Sequence, residues 1–487
     1  MSTKSKVIAL SLGSGLTSLV VVLSAAVLSR ILSKADYATF RQVFLAYSFV
    51  FPLLMMGLTK AVFYYLPAEK ERVRGRIMDV LCVLGVMGGA FALFVLFGGS
   101  EFLARRFNNP DLAAAMRIVA PYPLFVLPAA VLSSVLVSFG RVTTLSVFNV
   151  LSKALIGAAI ILPCLIWRNV TAPIVGELCA VGLSFVVAVY LMFRFAPHDD
   201  WRPRWGSAWE MLRFSIPLGL SAMAGTMSMQ LDKIIVSSLC SPEDFAIYSN
   251  GAFEIPLIGI VTGSIATVIL AEMRKKVVDG DYEGTVRLFR IVAEKSAWIL
   301  LPAMIFLFIN AELVIPLLFS QKYSGSVLPF QLYLLMLPAR IVTFGSLLIA
   351  AGLVKQMFVR DIGCLVLNAI LSWAFVSWFG YIGAAISSII IIYVWAIPVS
   401  LTCAAHHFNM RGVCFIPFGG IFKIFMVSLL PAVLVLGCDA FWGMGSPILK
   451  LGLNFVIFGG VMLWLWNGKI YSMRSLVERL GLRLRPS

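Results

Sequence analysis

The chain has 487 residues, 60% hydrophobic and only 13% charged, with a mean hydropathy of +0.96. A soluble domain is about half apolar and a quarter charged, so this chain lacks the polar surface to coat a water-soluble globule, and a soluble enzyme is excluded. The net charge of +16 would suggest nucleic acid in a soluble protein. Here the positive charges sit in short loops between apolar runs, the usual topology signal of a membrane protein, and no basic stretch is long enough to form a nucleic-acid groove.

Apolar runs occur at about 7–29, 42–65, 77–99, 115–138, 145–167, 171–195, 214–239, 246–271, 294–319, 327–350, 360–379, 381–403, 419–442 and 446–467. Each is close to the roughly 20 residues that cross a hydrocarbon core as a helix. The pattern predicts an all-α polytopic membrane protein with about 14 transmembrane helices and no room for a separate extramembrane domain. The first run follows MSTKSK and is too long for a signal-peptide core, so it is read as an uncleaved first helix. An even count puts both termini on one side. With both cytoplasmic, roughly 25 Lys and Arg fall on that side and roughly 10 on the other, as the positive-inside rule requires.

Two connections stand out. The stretch from Arg194 to Arg213 carries Trp201, Trp205 and Trp209 at four-residue spacing among charges, which suits a helix at headgroup level. From Glu272 to Lys295 acids and bases alternate, which reads as a solvated amphipathic hairpin.

An internal repeat turns this series of helices into an architecture. LSRILSKADYATF (28–40) aligns with VSSLCSPEDFAIY (236–248), pairing Asp36 with Asp244 and Phe40 with Tyr248. YPLFVLPA (122–129) aligns with LYLLMLPA (332–339), pairing Pro128 with Pro338. Both offsets are near 209 residues and span six crossings, so the two halves share an orientation, as in a parallel repeat about the membrane normal. The predicted organisation is an N-terminal six-helix lobe (1–195), a cytoplasmic amphipathic linker (196–213), a C-terminal six-helix lobe (214–403), two additional transmembrane helices (419–467) and a basic cytoplasmic tail (468–487).

Charge within a span is costly unless it meets a partner or water, so such residues are functional candidates. Lys60, Lys153 and Arg340 are the deepest cations. Facing one cavity they would suit an anionic substrate, with Arg340 able to grip a phosphate bidentately; facing outward, the two lysines would snorkel to headgroups. Asp232 and Lys233 are adjacent in one span, about 100° apart on a helix, and are expected not to share a partner. Asp232 and Glu254 are candidates for ion coupling or for structural ion pairs. Arg30, Arg41, Asp79 and Glu177 lie near span ends and are read as interfacial. The eight cysteines are scattered core residues. His198, His406 and His407 lack ligand spacing, and neither a metal site, a cofactor motif nor a catalytic constellation is expected.

QLDKIIVSSLCSPEDFAIY (230–248), the charged hairpin from Glu272, LLFSQKYSGS (317–326) and WFGYIGAAISS (378–388) stand in the order and spacing of Wzx-type polysaccharide flippases, and LSRILSKADYATF fits the same pattern. The chain therefore resembles that branch of the multidrug/oligosaccharidyl-lipid/polysaccharide exporter superfamily, which also holds MATE-type multidrug exporters and lipid II flippases. The resemblance implies a V-shaped pair of six-helix lobes around a central cavity, with two extra helices at the C-terminus. It implies a non-enzymatic flippase of the bacterial inner membrane, moving undecaprenyl-diphosphate-linked oligosaccharide to the periplasmic leaflet by alternating access for lipopolysaccharide or exopolysaccharide. A polysaccharide polymerase and glycosyltransferases would be its neighbours, beside membrane lipids. It also places an acidic motif residue at Asp232, which makes that residue the cavity-facing one. Two rivals remain at this point: a drug or cation antiporter of the same fold, whose site should be anionic and aromatic, and a non-transporting scaffold of a polysaccharide-synthesis complex, which would need no buried charge.

Overall fold

The computed structural model of the protein describes residues 19–69, 71–253, 255, 269–342, 344–441 and 446–467. Glu254, the first 18 residues and the tail from 468 lie outside the described residues, as does most of the run predicted at 246–271. Among the described residues the chain is helical without a strand.

The N-terminal half contains α1 (Leu19–Ile31), α2 (Lys34–Met55), α3 (Leu58–Tyr65), α4 (Val73–Phe94), α5 (Ser100–Arg106), α6 (Asp111–Ile118), α7 (Tyr122–Ala130), α8 (Leu132–Ser138), α9 (Val142–Trp167) and α10 (Thr171–Phe195). The second half contains α11 (Trp205–Leu239), α12 (Pro242–Gly251), α13 (269–278), α14 (Tyr282–Ile309), α15 (Ala311–Phe319), α16 (Val327–Leu334), α17 (Leu337–Ile341), α18 (Phe344–Ala350), α19 (Val354–Phe379), α20 (Tyr381–Ile390) and α21 (Ile397–Phe408). α22 (Phe418–Phe441) and α23 (Pro447–Asn467) follow.

Among the described residues nine helices are long and apolar enough to cross a membrane, or up to eleven if each of two bent pairs is one span. The difference from the expected fourteen has identifiable sources. α1 is described only from Leu19, most of the run at 246–271 lies outside the described residues, and the uncharged stretch 214–231 of α11 is rich in Gly, Ser and Thr, which lowers its hydropathy. The linker is also shorter than expected. Trp205 and Trp209 belong to the first turns of α11, which runs unbroken from them into the predicted seventh span. Only the nine residues 196–204 before it are irregular.

The first pair of repeated segments occupies matching structural positions. Ser33 caps α2 by accepting from the Asp36 N–H, and Ser241 caps α12 by accepting from the Asp244 N–H. In each case the serine hydroxyl also donates to the aspartate, at 2.7 and 2.8 Å. A cap of this kind stabilises a helix by about 1 kcal/mol. The second repeated pair lies in the two bent spans, which turn by 54° between α6 and α7–α8 and by 41° across the break after α16. Proline accounts for these breaks: Pro121 precedes α7, and Pro338 opens α17 rather than interrupting a helix.

α22 and α23 fasten to the second half through a buried polar latch. Asn454 donates to Asn310 at 2.7 Å and to Asp439 at 3.3 Å, and Lys450 pairs with Asp439 at 3.4 Å. Their remaining faces are apolar and exposed, as lipid-facing surfaces must be.

Candidate functional site

Two clusters of charged groups lie within the spans, one in each half, apart from Lys60 and the adjacent Arg360–Asp361 pair on α19. In the second half, Asp232 of α11 is buried. One of its carboxylate oxygens accepts from Tyr248 at 2.7 Å and from Tyr333 of α16. The other oxygen has no hydrogen-bond partner among the described residues and lies 3.8 Å from the Lys233 ammonium. That ammonium also sits 5.7 Å from the centroid of the Tyr333 ring, so Asp232 and Lys233 do share a partner, contrary to the helical-wheel expectation. The phenol is large enough to meet Asp232 at its hydroxyl and Lys233 at its face, and the flexible lysine stem closes the angle. Arg340 lies within electrostatic reach of Tyr333. It lines a small cavity of about 30 Å³ with Phe253, Ile255, Tyr333 and Met336, room for a water molecule. Asp232, Lys233 and Arg340 thus all border one side chain, Tyr333.

In the first half, Glu177 of α10 accepts from Tyr122 of α7 at 3.5 Å and lies within electrostatic reach of Lys153 on α9. Glu177 lies on the face of α10 that buries Pro173, Ala180 and Ser184, so it belongs to the interior rather than to the interface where the sequence placed it. Lys153 is exposed, yet it is not on the lipid stripe. Val147, Leu151, Leu155, Leu162 and Ile166 form that stripe on α9, and Lys153 is displaced from Leu151 by about 200° of helix. The buried Gly157, Ile160 and Cys164 continue its own face. Lys60 is separate from both clusters. It lies on α3 one turn before Tyr64, whose ring stacks on Phe214 of α11 at 4.5 Å, beside the close crossing of Gly57 and Gly219.

Asp79 is a buried structural acid. It binds both ends of the Arg72 guanidinium at 3.0 and 3.1 Å and accepts from the Arg204 N–H at 2.6 Å. Asp199 accepts from the Val73 and Arg74 N–H groups at 2.6 and 2.9 Å and so caps α4. The linker is thereby folded onto the loop between α3 and α4.

Arg30 and Arg41 are not simple interfacial anchors either, because both reach into the other half. Arg30 donates to the carbonyls of Leu317 and Leu318, Arg41 donates to the Ser249 hydroxyl at 2.7 Å, and Lys322 returns a bond to the Leu32 carbonyl at 2.6 Å. Tyr37 donates to Asn250 at 2.6 Å, Gln42 to Ser237 at 2.9 Å, and Asn108 to the Ser238 carbonyl at 3.2 Å. The corner between α1 and α2 thus grips the second half, while the corner between α11 and α12 is gripped by the first. This reciprocal clasp closes the bundle at one end.

A family model described as "Polysaccharide biosynthesis protein" matches residues 27–328, more than half of the chain. The chain belongs to that family. The matched range holds both clasp corners, Asp232, Glu177, Lys60 and Lys153, and stops short of Arg340. A curated relative, the probable lipid II flippase MurJ of Vibrio cholerae serotype O1, is 24% identical over 350 residues, which are 66% of this chain and 64% of the relative's length. Among solved structures, lipid II flippase MurJ in an inward closed conformation covers 96% of this chain and 100% of its own, with a TM-score of 0.74 at 16% identity. An inward-facing multidrug resistance MATE family transporter covers 81% and 94%, with a TM-score of 0.61 at 16% identity. These likenesses show that this family member shares the all-helical fold of those two transporters.

Tyr248, Tyr333 and Tyr122 are the members of the clusters that the sequence does not single out. A tyrosine in an apolar run carries no periodic signal, and of the three only Tyr248 pairs with another aromatic residue in a repeated segment that also holds an aligned acid.

Proposed function

We propose that this protein is a flippase for a lipid-linked glycan, carrying undecaprenyl-diphosphate-linked oligosaccharide from the cytoplasmic to the periplasmic leaflet of a bacterial inner membrane by alternating access. The observation that supports this most directly is the presence of cations within the spanning helices of a polysaccharide-biosynthesis family member. Lys153 lies on the face of α9 opposite its exposed apolar stripe, and Lys233 and Arg340 both border Tyr333. Cations in such places suit a diphosphate and acidic sugars better than a cationic drug. Arg340, Lys153 and Lys60 are the proposed substrate contacts. Asp232, held by two tyrosines, serves as the structural anchor that keeps Lys233 and Tyr333 in place. Glu254 keeps its candidacy as a coupling carboxylate. The clasp joining the α1–α2 and α11–α12 corners is the closed periplasmic gate in this reading, and both termini are cytoplasmic. The two lobes, 1–195 and 214–403, are the bodies that rock.

The test uses cells whose surface glycan depends on the protein, together with vesicles reconstituted with a lipid-linked oligosaccharide. Removing one charged contact to phosphate costs about 1.5–3 kcal/mol, or about 10–100-fold in transport. Arg340→Ala should therefore deplete surface glycan and slow flipping, and Asp232→Ala should do the same by releasing Tyr333. Normal surface glycan with both variants would overturn the proposed site, and drug resistance conferred by the wild-type chain would favour the antiporter instead.

A further inference from the structure

One face of α14 forms a trough that the transport reading does not use. Glu283, Val286, Arg287, Arg290, Ile291 and Glu294 repeat at helical spacing along its floor, and Met410 and Cys414 form a wall. The cavity is about 450 Å³. Its inner end is bounded by α22, where Gly420 leaves space for the Glu294 carboxylate. Its position along the membrane normal follows from composition. After Lys295, α14 continues to Ile309 without a charge, while α21 has just ended at Phe408 and α22 begins at Phe418. The trough therefore lies at the boundary between hydrocarbon and water.

Arg287 and Arg290 are exposed one turn apart, and neither guanidinium has a hydrogen-bond or salt-bridge partner among the described residues. Asp281, just before α14, accepts hydrogen bonds from Lys276 at 2.8 Å and from the Gly284 N–H, and reaches Arg287 only through its field, without a hydrogen bond or salt bridge. Two adjacent arginines at headgroup depth match a phosphodiester. Glu283 lies one turn toward water from Arg287, about 6 Å along the axis, which is within the reach of an ethanolamine arm. Two arginines and two glutamates leave the lining neutral, so it complements a headgroup that carries both signs better than one that is only anionic. Val286, Ile291 and Met410 supply apolar surface for the glycerol end.

We propose that this trough binds the headgroup of an amine-bearing zwitterionic phospholipid, with the phosphate held by Arg287 and Arg290 and the ammonium by Glu283. The bound lipid seals α14 against the turn at Gly412–Phe415 and α22.

Full-length protein, delipidated in detergent, is titrated with phosphatidylethanolamine, phosphatidylglycerol, phosphatidylcholine or inorganic phosphate. Bound lipid is read by native mass spectrometry, and occupancy independently by the rate of Cys414 alkylation, followed on its own peptide. Phosphatidylethanolamine should bind preferentially and slow alkylation of Cys414, which is exposed in this structure. Arg287→Ala with Arg290→Ala should weaken that binding about tenfold or more and restore alkylation. Glu283→Gln should leave binding in place but erase the preference over phosphatidylglycerol. Three results would overturn the proposal: undiminished binding by the double arginine variant, equal binding of phosphatidylcholine and phosphatidylethanolamine by the parent, or protection of Cys414 by inorganic phosphate as strong as that given by lipid. The last would identify a free-phosphate site.

Discussion

Arg41 and Tyr37 offer the cleanest perturbation of the clasp, because both lie on one helix and both partners lie on α12. Arg41 donates to the Ser249 hydroxyl at 2.7 Å and approaches its carbonyl at 3.5 Å, while Tyr37 donates to Asn250 at 2.6 Å. A hydrogen bond from a charged donor contributes about 1.5–3 kcal/mol and a neutral one about 1. Removing both by Arg41→Ala and Tyr37→Phe should therefore favour separation of the two corners by about 3 kcal/mol, a shift of about 100-fold in the ratio of open to closed states. The assay is a distance distribution between spin labels at positions 34 and 324, in a background where the eight native cysteines are replaced. The double variant should show a longer-distance population that the parent lacks. Ser33→Ala is the control. It removes a cap within one half, at about 1 kcal/mol of stability, and should leave the distance unchanged. An unaltered distribution in the double variant, with normal folding, would refute the assignment of this clasp as the gate.

Other substitutions test the packing around it. Asp79→Ala leaves the buried Arg72 without its carboxylate, which should cost about 3–5 kcal/mol and sharply lower the yield of folded protein; Glu210→Gln, at an exposed carboxylate, should change thermal stability by no more than about 0.5 kcal/mol. Gly219→Ala should lower the thermal midpoint, since its new Cβ would lie 2.8 Å from the Gly57 backbone nitrogen, and Gly57 itself has φ +71 and cannot shift freely. The hydrogen bond from Arg76 holds the Glu69 carboxyl below its ordinary value of 4.5. Its folded-state pKa is depressed, so its stabilisation is fully present above about 4.5 and is lost as pH falls through the lower folded value. The stability curves of Glu69→Gln and the parent should be separate at neutral pH and converge in acid; a constant gap across that range would rule this out.

Several local features are legible in the sequence. The Ser–x–x–Asp spacing within the repeated segment anticipates both helix caps, because a cap is made by residues three apart and needs nothing distant. The second repeat pair lies in the two bent spans, yet only one of its aligned prolines sits at a break: Pro338 opens α17, whereas Pro128 is inside α7 and the earlier bend falls at Pro121, just before the repeated segment. Asp79 reads as interfacial in the sequence, yet it is buried, because its partners include Arg204, 125 residues away, brought in when the irregular segment before α11 folds back. Glu177 reads the same way and is interior, because depth along a helix does not report which face a residue occupies.

Membrane residence, the helical class, the repeat and the inventory of charged residues follow from the sequence alone, since hydrocarbon imposes a length and an apolar composition that can be read residue by residue along one chain. Which charges meet was decided only by tertiary structure. Asp232 finds Tyr248 sixteen residues on and Tyr333 a further 85 beyond it, and Arg41 finds Ser249 across 208. Inside a low-dielectric bundle a charge must take whatever partner packing delivers within a few ångströms, and that distance is set by how helices cross rather than by their order in the chain.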